Sequence, residues 1–313
     1  MSLAFVFPGQ GSQSVGMMRE LAERYPRIGR TFDEASAVLG YDLWAVCRDG
    51  PAAALDATET TQPAMLTAAV ATYRVWREQG GPIPALMAGH SLGEFSALVA
   101  AGSLAFADAV ALVRFRAQAM QAAVPPGEGA MAAVLGLEDS DVEAACDEAA
   151  QGEVVEAVNF NAPGQVVIAG QAGAVARAIE AARARGAKRA IALPISVPAH
   201  SSLMAPAARR LGERLAATVV AKPIGIDVYG VDVRVHADPD AIRAGLVKQL
   251  QTPVYWAATV RTMITAGATT IVECGPGKVL TGLNRRIDKS RDLKMFALED
   301  PKSFEEALQA AGG

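Results

Sequence analysis

Short apolar runs alternate along this chain with longer stretches of helical periodicity, a pattern that predicts buried strands separated by helices. The first run, residues 3–7, reads as a buried strand ending in the turn Pro8-Gly9-Gln10-Gly11-Ser12-Gln13. Helical patterns follow over 30–39 and 63–79, with Thr60 or Thr61 as a cap and Pro63 near the first turn. A second apolar run, 84–88, leads through Gly89-His90-Ser91-Leu92-Gly93 into a helix from Phe95, and a long helix spans 106–123. Pro125-Pro126-Gly127-Glu128-Gly129 then breaks the chain and is its clearest domain boundary.

Beyond that break the order changes. Strands are expected over 130–135, 154–159, 166–169 and 189–195, with helices over 139–150 and 172–185 and a turn at Asn161-Ala162-Pro163-Gly164. The order βαββαβ is the ferredoxin-like unit, so residues 126–196 read as an inserted subdomain between 1–125 and 197–313. The main body then resumes. Helices are expected over 201–217, 239–250 and 254–266, strands over 224–229 and 269–274, and a helix, a strand and a helix after Gly275-Pro276-Gly277. Strands alternating with helices make this an α/β protein with a mostly parallel sheet.

Composition narrows the picture. Half of the 313 residues are apolar (51%) and a fifth charged (20%), which describes a folded globular chain. A net charge of −4 argues against nucleic-acid or anionic-membrane partners. Cys47, Cys146 and Cys274 are odd in number and lack metal-site spacing, so neither disulfides nor a metal is expected, and a reducing cytoplasm is. The first residues carry no secretory pattern.

The chemistry centres on Gly89-x-Ser91-x-Gly93 between a strand and a helix. Such a turn needs glycines where side chains would collide, and it lifts the serine oxygen to the sheet end beside the N-terminal N–H groups of the helix. Ser91 is the candidate nucleophile; a plain turn with a serine cap is the alternative. In the first loop the Gly9-x-Gly11 spacing fails as a dinucleotide fingerprint because Ser14 holds the third position. The backbone N–H of Gln10 there is as consistent with an oxyanion donor as with an ordinary turn. Of three histidines, His90 sits beside Ser91 and suits packing, and His236 lies in a polar connection and reads as surface. His200, after a strand end, is left as the base. No acid stands out to orient it; a backbone carbonyl or an amide could do so, and Gln249 at the end of the helix over 239–250 is a candidate, with a surface helix glutamine the stronger reading by position. Arg114 and Arg116 read by spacing as two surface arginines, with a substrate-carboxylate clamp as the alternative.

Several motifs, in order along nearly the whole chain, resemble the malonyl-CoA:acyl carrier protein transacylases of fatty acid synthesis. They are Phe7-Pro8-Gly9-Gln10-Gly11-Ser12-Gln13, Thr61-Gln62-Pro63-Ala64, Gly89-His90-Ser91-Leu92-Gly93-Glu94 and Arg116 with Met120-Gln121. The series continues with Asn159-Phe160-Asn161-Ala162-Pro163-Gly164-Gln165, Ser196-Val197-Pro198-Ala199-His200-Ser201, Gln249-Leu250, Pro253-Val254-Tyr255-Trp256 and Glu273-Cys274-Gly275-Pro276-Gly277-Lys278. The resemblance implies an α/β-hydrolase-like core with the ferredoxin-like insert. It implies Ser91 as nucleophile, His200 as base and then acid, and the Gln249 main-chain carbonyl as its orienter. It further implies an oxyanion hole from the N–H groups of Gln10 and Leu92, and Arg116 as partner of the malonyl carboxylate. Malonyl-CoA and an acidic acyl carrier protein are the expected partners of a monomer, with no cofactor. Lys188, Arg189, Arg285 and Arg286 are possible contributors to a carrier-binding patch. Two departures stand out. Ala117 follows Arg116 where the family usually has glycine, and Tyr229-Gly230-Val231-Asp232 replaces a serine-asparagine-type segment. A serine hydrolase, the transacylase of a malonate decarboxylase and a non-catalytic carrier-binding protein are the rival readings.

Overall fold

The structure, a computed structural model, describes residues 2–312. Among the described residues nine strands follow in chain order: β1 (Ser2–Phe7), β2 (Leu86–Gly89), β3 (Gly129–Leu135), β4 (Val155–Ala162), β5 (Gln165–Gln171), β6 (Arg189–Ala192), β7 (Asp227–Tyr229), β8 (Ala268–Glu273) and β9 (Lys294–Ala297). They form two sheets. The first, ordered β7-β2-β1-β8-β9, is parallel throughout. The second, β4-β5-β3-β6, is antiparallel and lies between residues 129 and 192. This is the order expected of a βαββαβ unit.

The apolar run of β1 follows from its central place. Phe5 and Phe7 face one side, where Phe5 packs edge-on against Trp76 and Tyr73 with ring centroids 5.1 and 5.8 Å away. Ala4 and Val6 face the other side, against Trp256, Val260 and Met263. A parallel strand covered on both faces has no polar side to show. In the small sheet, Val134, Val166 and Ile168 pack on the helices Asp139–Ala150 and Ala172–Ala184. Its opposite face carries Met131 and Val167 towards the cleft, packed with the buried Val158. Val254 joins the two parts, accepting from the Phe160 N–H (2.9 Å) and donating to the Val158 carbonyl (2.8 Å).

Several expected bounds shift. The helix expected at 63–79 begins five residues earlier, as Thr58–Glu78, with Ala57 rather than Thr60 or Thr61 at its cap. Pro63 lies in the second turn, where its missing N–H removes one intrahelical bond. Thr61 instead donates its hydroxyl to the Leu55 carbonyl. The turn between β4 and β5 shrinks to Pro163-Gly164, because pairing continues to Ala162↔Gln165. β6 ends at Ala192 and β7 begins only at Asp227, which leaves Ile224 exposed. The expected helix over 201–217 opens with a 3-10 turn, Ser202–Met204. Short helices at Arg19–Arg24, Leu43–Asp49 and Ala52–Asp56 are additional.

Candidate active site

At the end of β2 the chain turns sharply into the helix Gly93–Ala100. Ser91 occupies the left-handed region (φ 52°), which costs a side-chain-bearing residue about 1–3 kcal/mol and persists only where its surroundings enforce it. Here they do. The His90 N–H donates to the Phe7 carbonyl (3.0 Å) and the Gly93 N–H to the His90 carbonyl (2.9 Å). A Cβ on Gly89 would overlap the backbone of Gly93 and Glu94, and one on Gly93 would overlap the Phe7 carbonyl. The two flanking glycines thus let the turn close against β1.

His200 also has left-handed backbone (φ 67°). Its segment is pinned on either side. The Ser201 hydroxyl donates to the Pro198 carbonyl (2.7 Å), and the Ser202 N–H (2.8 Å) and hydroxyl (2.7 Å) both donate to Glu156 on β4. The ring is buried, with Nε2 2.7 Å from the Ser91 Oγ and Nδ1 2.7 Å from the Gln249 main-chain oxygen. A carbonyl only accepts, so Nδ1 carries the proton and Nε2 offers its lone pair to the serine hydroxyl. Burial, then the nearby Arg116 charge, push the His200 pKa down to about 3, so the ring is neutral at physiological pH.

Gln249 is fully buried, correcting the expectation of a surface side chain. It begins a 3-10 turn, Gln249–Gln251, at the end of the helix Pro239–Lys248. Four residues on stands Pro253, which has no N–H to give, so the Gln249 carbonyl is left without an α-helical donor and can take the imidazole proton. That spacing was a signal available in the sequence.

Arg116 is buried too (1% exposed), so the reading as a surface arginine is overturned. Its Nη2 donates to the Ser91 Oγ (3.2 Å) and to the Gln249 Oε1 (2.8 Å), and its Nη1 to the Gln62 Oε1 (2.9 Å). Its Nε–H has no partner among the described residues. Burial lowers its pKa to about 10, with Glu94 opposing the shift, so it stays charged. Arg114, on another face, donates to the Leu39 carbonyl (2.8 Å) and lies away from the site.

Gln10 and Leu92 line the same inner chamber as Ser91, His200 and Arg116. Neither N–H donates to a protein acceptor among the described residues, which leaves both available to an oxyanion. The chamber holds about 80 Å³, room for roughly three waters and so for a short acyl group. It adjoins an outer cleft of about 450 Å³ lined by Gly11, Asn161, Gln165 and Leu280 among others. His90 serves packing and polar support, its Nε2 2.8 Å from the Asn161 Oδ1 and its ring 5.6 Å from that of Trp256.

His236 is buried rather than on the surface, its Nε2 2.7 Å from Glu94 Oε1. Burial pulls its pKa down, but the hydrogen bond and charge of Glu94, with Asp232 beyond, outweigh that and leave it raised. The polar residues around it in sequence misled the surface reading. Glu94, in the first turn after the elbow, is fully buried, and no local sequence pattern marks its partners.

The family model described as the acyl transferase domain matches residues 4–298. A malonyl CoA-acyl carrier protein transacylase of Escherichia coli (strain K12) is 56% identical over 306 residues, covering 98% of both chains. The solved malonyl CoA-acyl carrier protein transacylase of Coxiella burnetii superposes with a TM-score of 0.97 at 46% identity, over 100% of this chain and 98% of that one. A malonyl-transacylase solved in complex with a type II PKS acyl-carrier protein gives a TM-score of 0.97 at 50% identity, over 99% of this chain and 100% of its own.

Proposed function

The chain belongs to the acyl transferase domain family, and from that premise we propose that it transfers malonyl from malonyl-CoA to the phosphopantetheine thiol of an acyl carrier protein, supplying fatty acid elongation. One observation carries the choice of acyl group: a buried, charged guanidinium 3.2 Å from the serine oxygen, with an N–H still unpartnered. A carboxylate on the acyl chain answers that charge, whereas acetyl would leave it unpaired at a cost of roughly 3–5 kcal/mol.

The reaction runs in two halves. His200 Nε2 takes the Ser91 proton as Oγ attacks the thioester carbonyl. The N–H groups of Gln10 and Leu92 hold the oxyanion, and Gln249, through its carbonyl, stabilises the imidazolium that forms. The intermediate collapses, coenzyme A leaves with the proton from His200, and Ser91 holds malonyl as an ester. The carrier thiol then enters by the outer cleft, gives its proton to His200 and attacks the ester. Collapse of the second intermediate returns the proton to Ser91 and frees the malonyl-carrier.

In this reading residues 1–125 and 197–313 form the catalytic domain and 126–196 an insert that walls the cleft. Arg286 donates to Gln165 and to the Pro163 carbonyl, beside the cleft, which supports a basic contact there for an acidic carrier. The same reading takes the protein as a cytoplasmic monomer without a cofactor and without nucleic-acid or membrane partners. Intact mass after brief mixing with malonyl-CoA tests it. A single malonyl adduct is expected, absent from Ser91→Ala, far weaker with acetyl-CoA, and discharged by a carrier thiol. Rapid release of free malonate instead would mean that water is the acceptor and the protein a hydrolase.

A further inference from the structure

Behind the reaction chamber lies a buried carboxylate that the mechanism does not use. Glu94 is fully buried and does not line the chamber. Its Oε2 accepts from the Gln249 Nε2 (2.6 Å) and the Val231 N–H (3.2 Å), and its Oε1 faces His236 Nε2 (2.7 Å).

The consequence runs through the Gln249 amide. A carboxylate only accepts, so the Gln249 nitrogen must face Glu94, where it also reaches the Ser91 carbonyl at 3.2 Å. Only the amide oxygen is then left for Arg116, 2.8 Å from its Nη2. Reversed, the amide would aim its own N–H groups at the guanidinium. The other amide on Arg116 has no such anchor: the nitrogen of Gln62 meets only the Met120 sulfur at 3.6 Å. Arg116 therefore hangs from one fixed amide and one that can turn.

The spacing also solves an electrostatic conflict. A buried guanidinium needs a compensating charge, yet a carboxylate in direct contact would fill the very face that a substrate carboxylate must use. Glu94 balances Arg116 across the Gln249 amide, and the Arg116 Nε–H remains uncommitted. We propose that Glu94 is a positioning residue for the acyl-carboxylate site, fixing the Gln249 amide and through it the aim of Arg116, and so contributing to the choice of a carboxylate-bearing acyl group.

This inference rests on the malonyl-transfer reading. Its test is single-turnover acylation of wild type, Glu94→Gln and His236→Gln by malonyl-CoA and by acetyl-CoA, with KM and kcat separated. Glu94→Gln keeps the shape but removes the charge and frees the Gln249 amide to reverse. Malonyl kcat/KM should fall roughly 10- to 100-fold, the worth of one hydrogen bond to a charged group, mainly through KM, with acetyl acylation within about threefold of wild type. His236→Gln should move the same ratio in the same direction by less, and it decides the matter if Glu94→Gln does not fold. An equal loss for both donors, which leaves the ratio unchanged, would reduce Glu94 to a structural support, and unaltered rates with both donors would remove its role altogether. A wild type that loads neither acyl group would overturn the malonyl reading, and this one with it. Wild type loading malonyl beside an unaltered ratio in the variants would overturn this inference alone.

Discussion

Two buried histidines lie on opposite sides of Gln249 and meet opposite surroundings. His200 gives its Nδ1 proton to the Gln249 main-chain oxygen and shares its cavity with the Arg116 charge, and its pKa falls to about 3. His236 faces the Glu94 carboxylate, which in turn holds the Gln249 side-chain nitrogen, and its pKa rises. Burial pushes both downward; the partner decides the result. A neutral carbonyl fixes the tautomer of a base without making it a permanent cation. A carboxylate in the same place, with no guanidinium nearby, would favour the imidazolium. The site thus has a ready base because its carboxylate stands one amide further back.

Removing each ring gives the largest contrast. His200→Ala takes away the proton acceptor, and acylation by malonyl-CoA should drop by roughly 10²–10⁴-fold, the usual worth of general base catalysis. His236→Ala should cost under about tenfold, since that ring acts only through Glu94 and Gln249. Comparable losses in burst-phase acylation would break the distinction between a catalytic ring and a supporting one.

Arg116→Ala attacks the same contrast from the charge that separates the two rings. Malonyl acylation should fall about 100-fold or more, as expected for a lost charged partner, and acetyl acylation should gain relative to it. With the cation gone, the His200 pKa should climb from about 3 towards its ordinary value near 6.5. Burial, the larger cause, remains, so the acetyl acylation rate in the variant should begin to decline at a higher pH than in wild type but below the ordinary histidine range. Wild type, whose base stays neutral, should be flat from about pH 5 to 8. A variant that keeps both the malonyl preference and the flat profile would show that Arg116 does neither job.

What the sequence disclosed divides along the same line. The elbow was legible because its geometry demands glycine at 89 and 93, and residue type is what a sequence prints. His200 emerged by elimination among three histidines. The role of Gln249 rests on a main-chain oxygen, which every residue has; only Pro253 four places later hinted that this one was free. The Glu94 contacts span 137 to 155 positions, and no local pattern reports a partner at that distance. His236 misled because Arg234 and Asp238 flank it, while the fold turns its ring inward under Gly245 and Gly230. The parallel strands were legible through their apolar runs, and the three short helices were missed because six, seven and five residues carry too few turns to show a period.

The remaining contrast is in stability, and it sharpens the comparison because the two rings should act with opposite sign. His200 has a depressed folded pKa, so between about 3 and 6.5 the unfolded chain binds the extra proton. Its presence therefore lowers stability as pH falls through that window, by up to about 1.4 kcal/mol per pH unit. His236 has a raised folded pKa, so its contribution is complete below about pH 6.5 and is lost as pH rises through the folded value. Glu273, which caps the helix Val279–Ile287 and has its pKa raised to about 7, also titrates near neutrality, so each histidine must be isolated by difference. The denaturation free energy of wild type minus that of His200→Gln should shrink towards acid. The corresponding difference for His236→Gln should shrink towards alkali. Parallel slopes in the two difference curves would mean that the carbonyl and the carboxylate do not set the charge of the rings they hold.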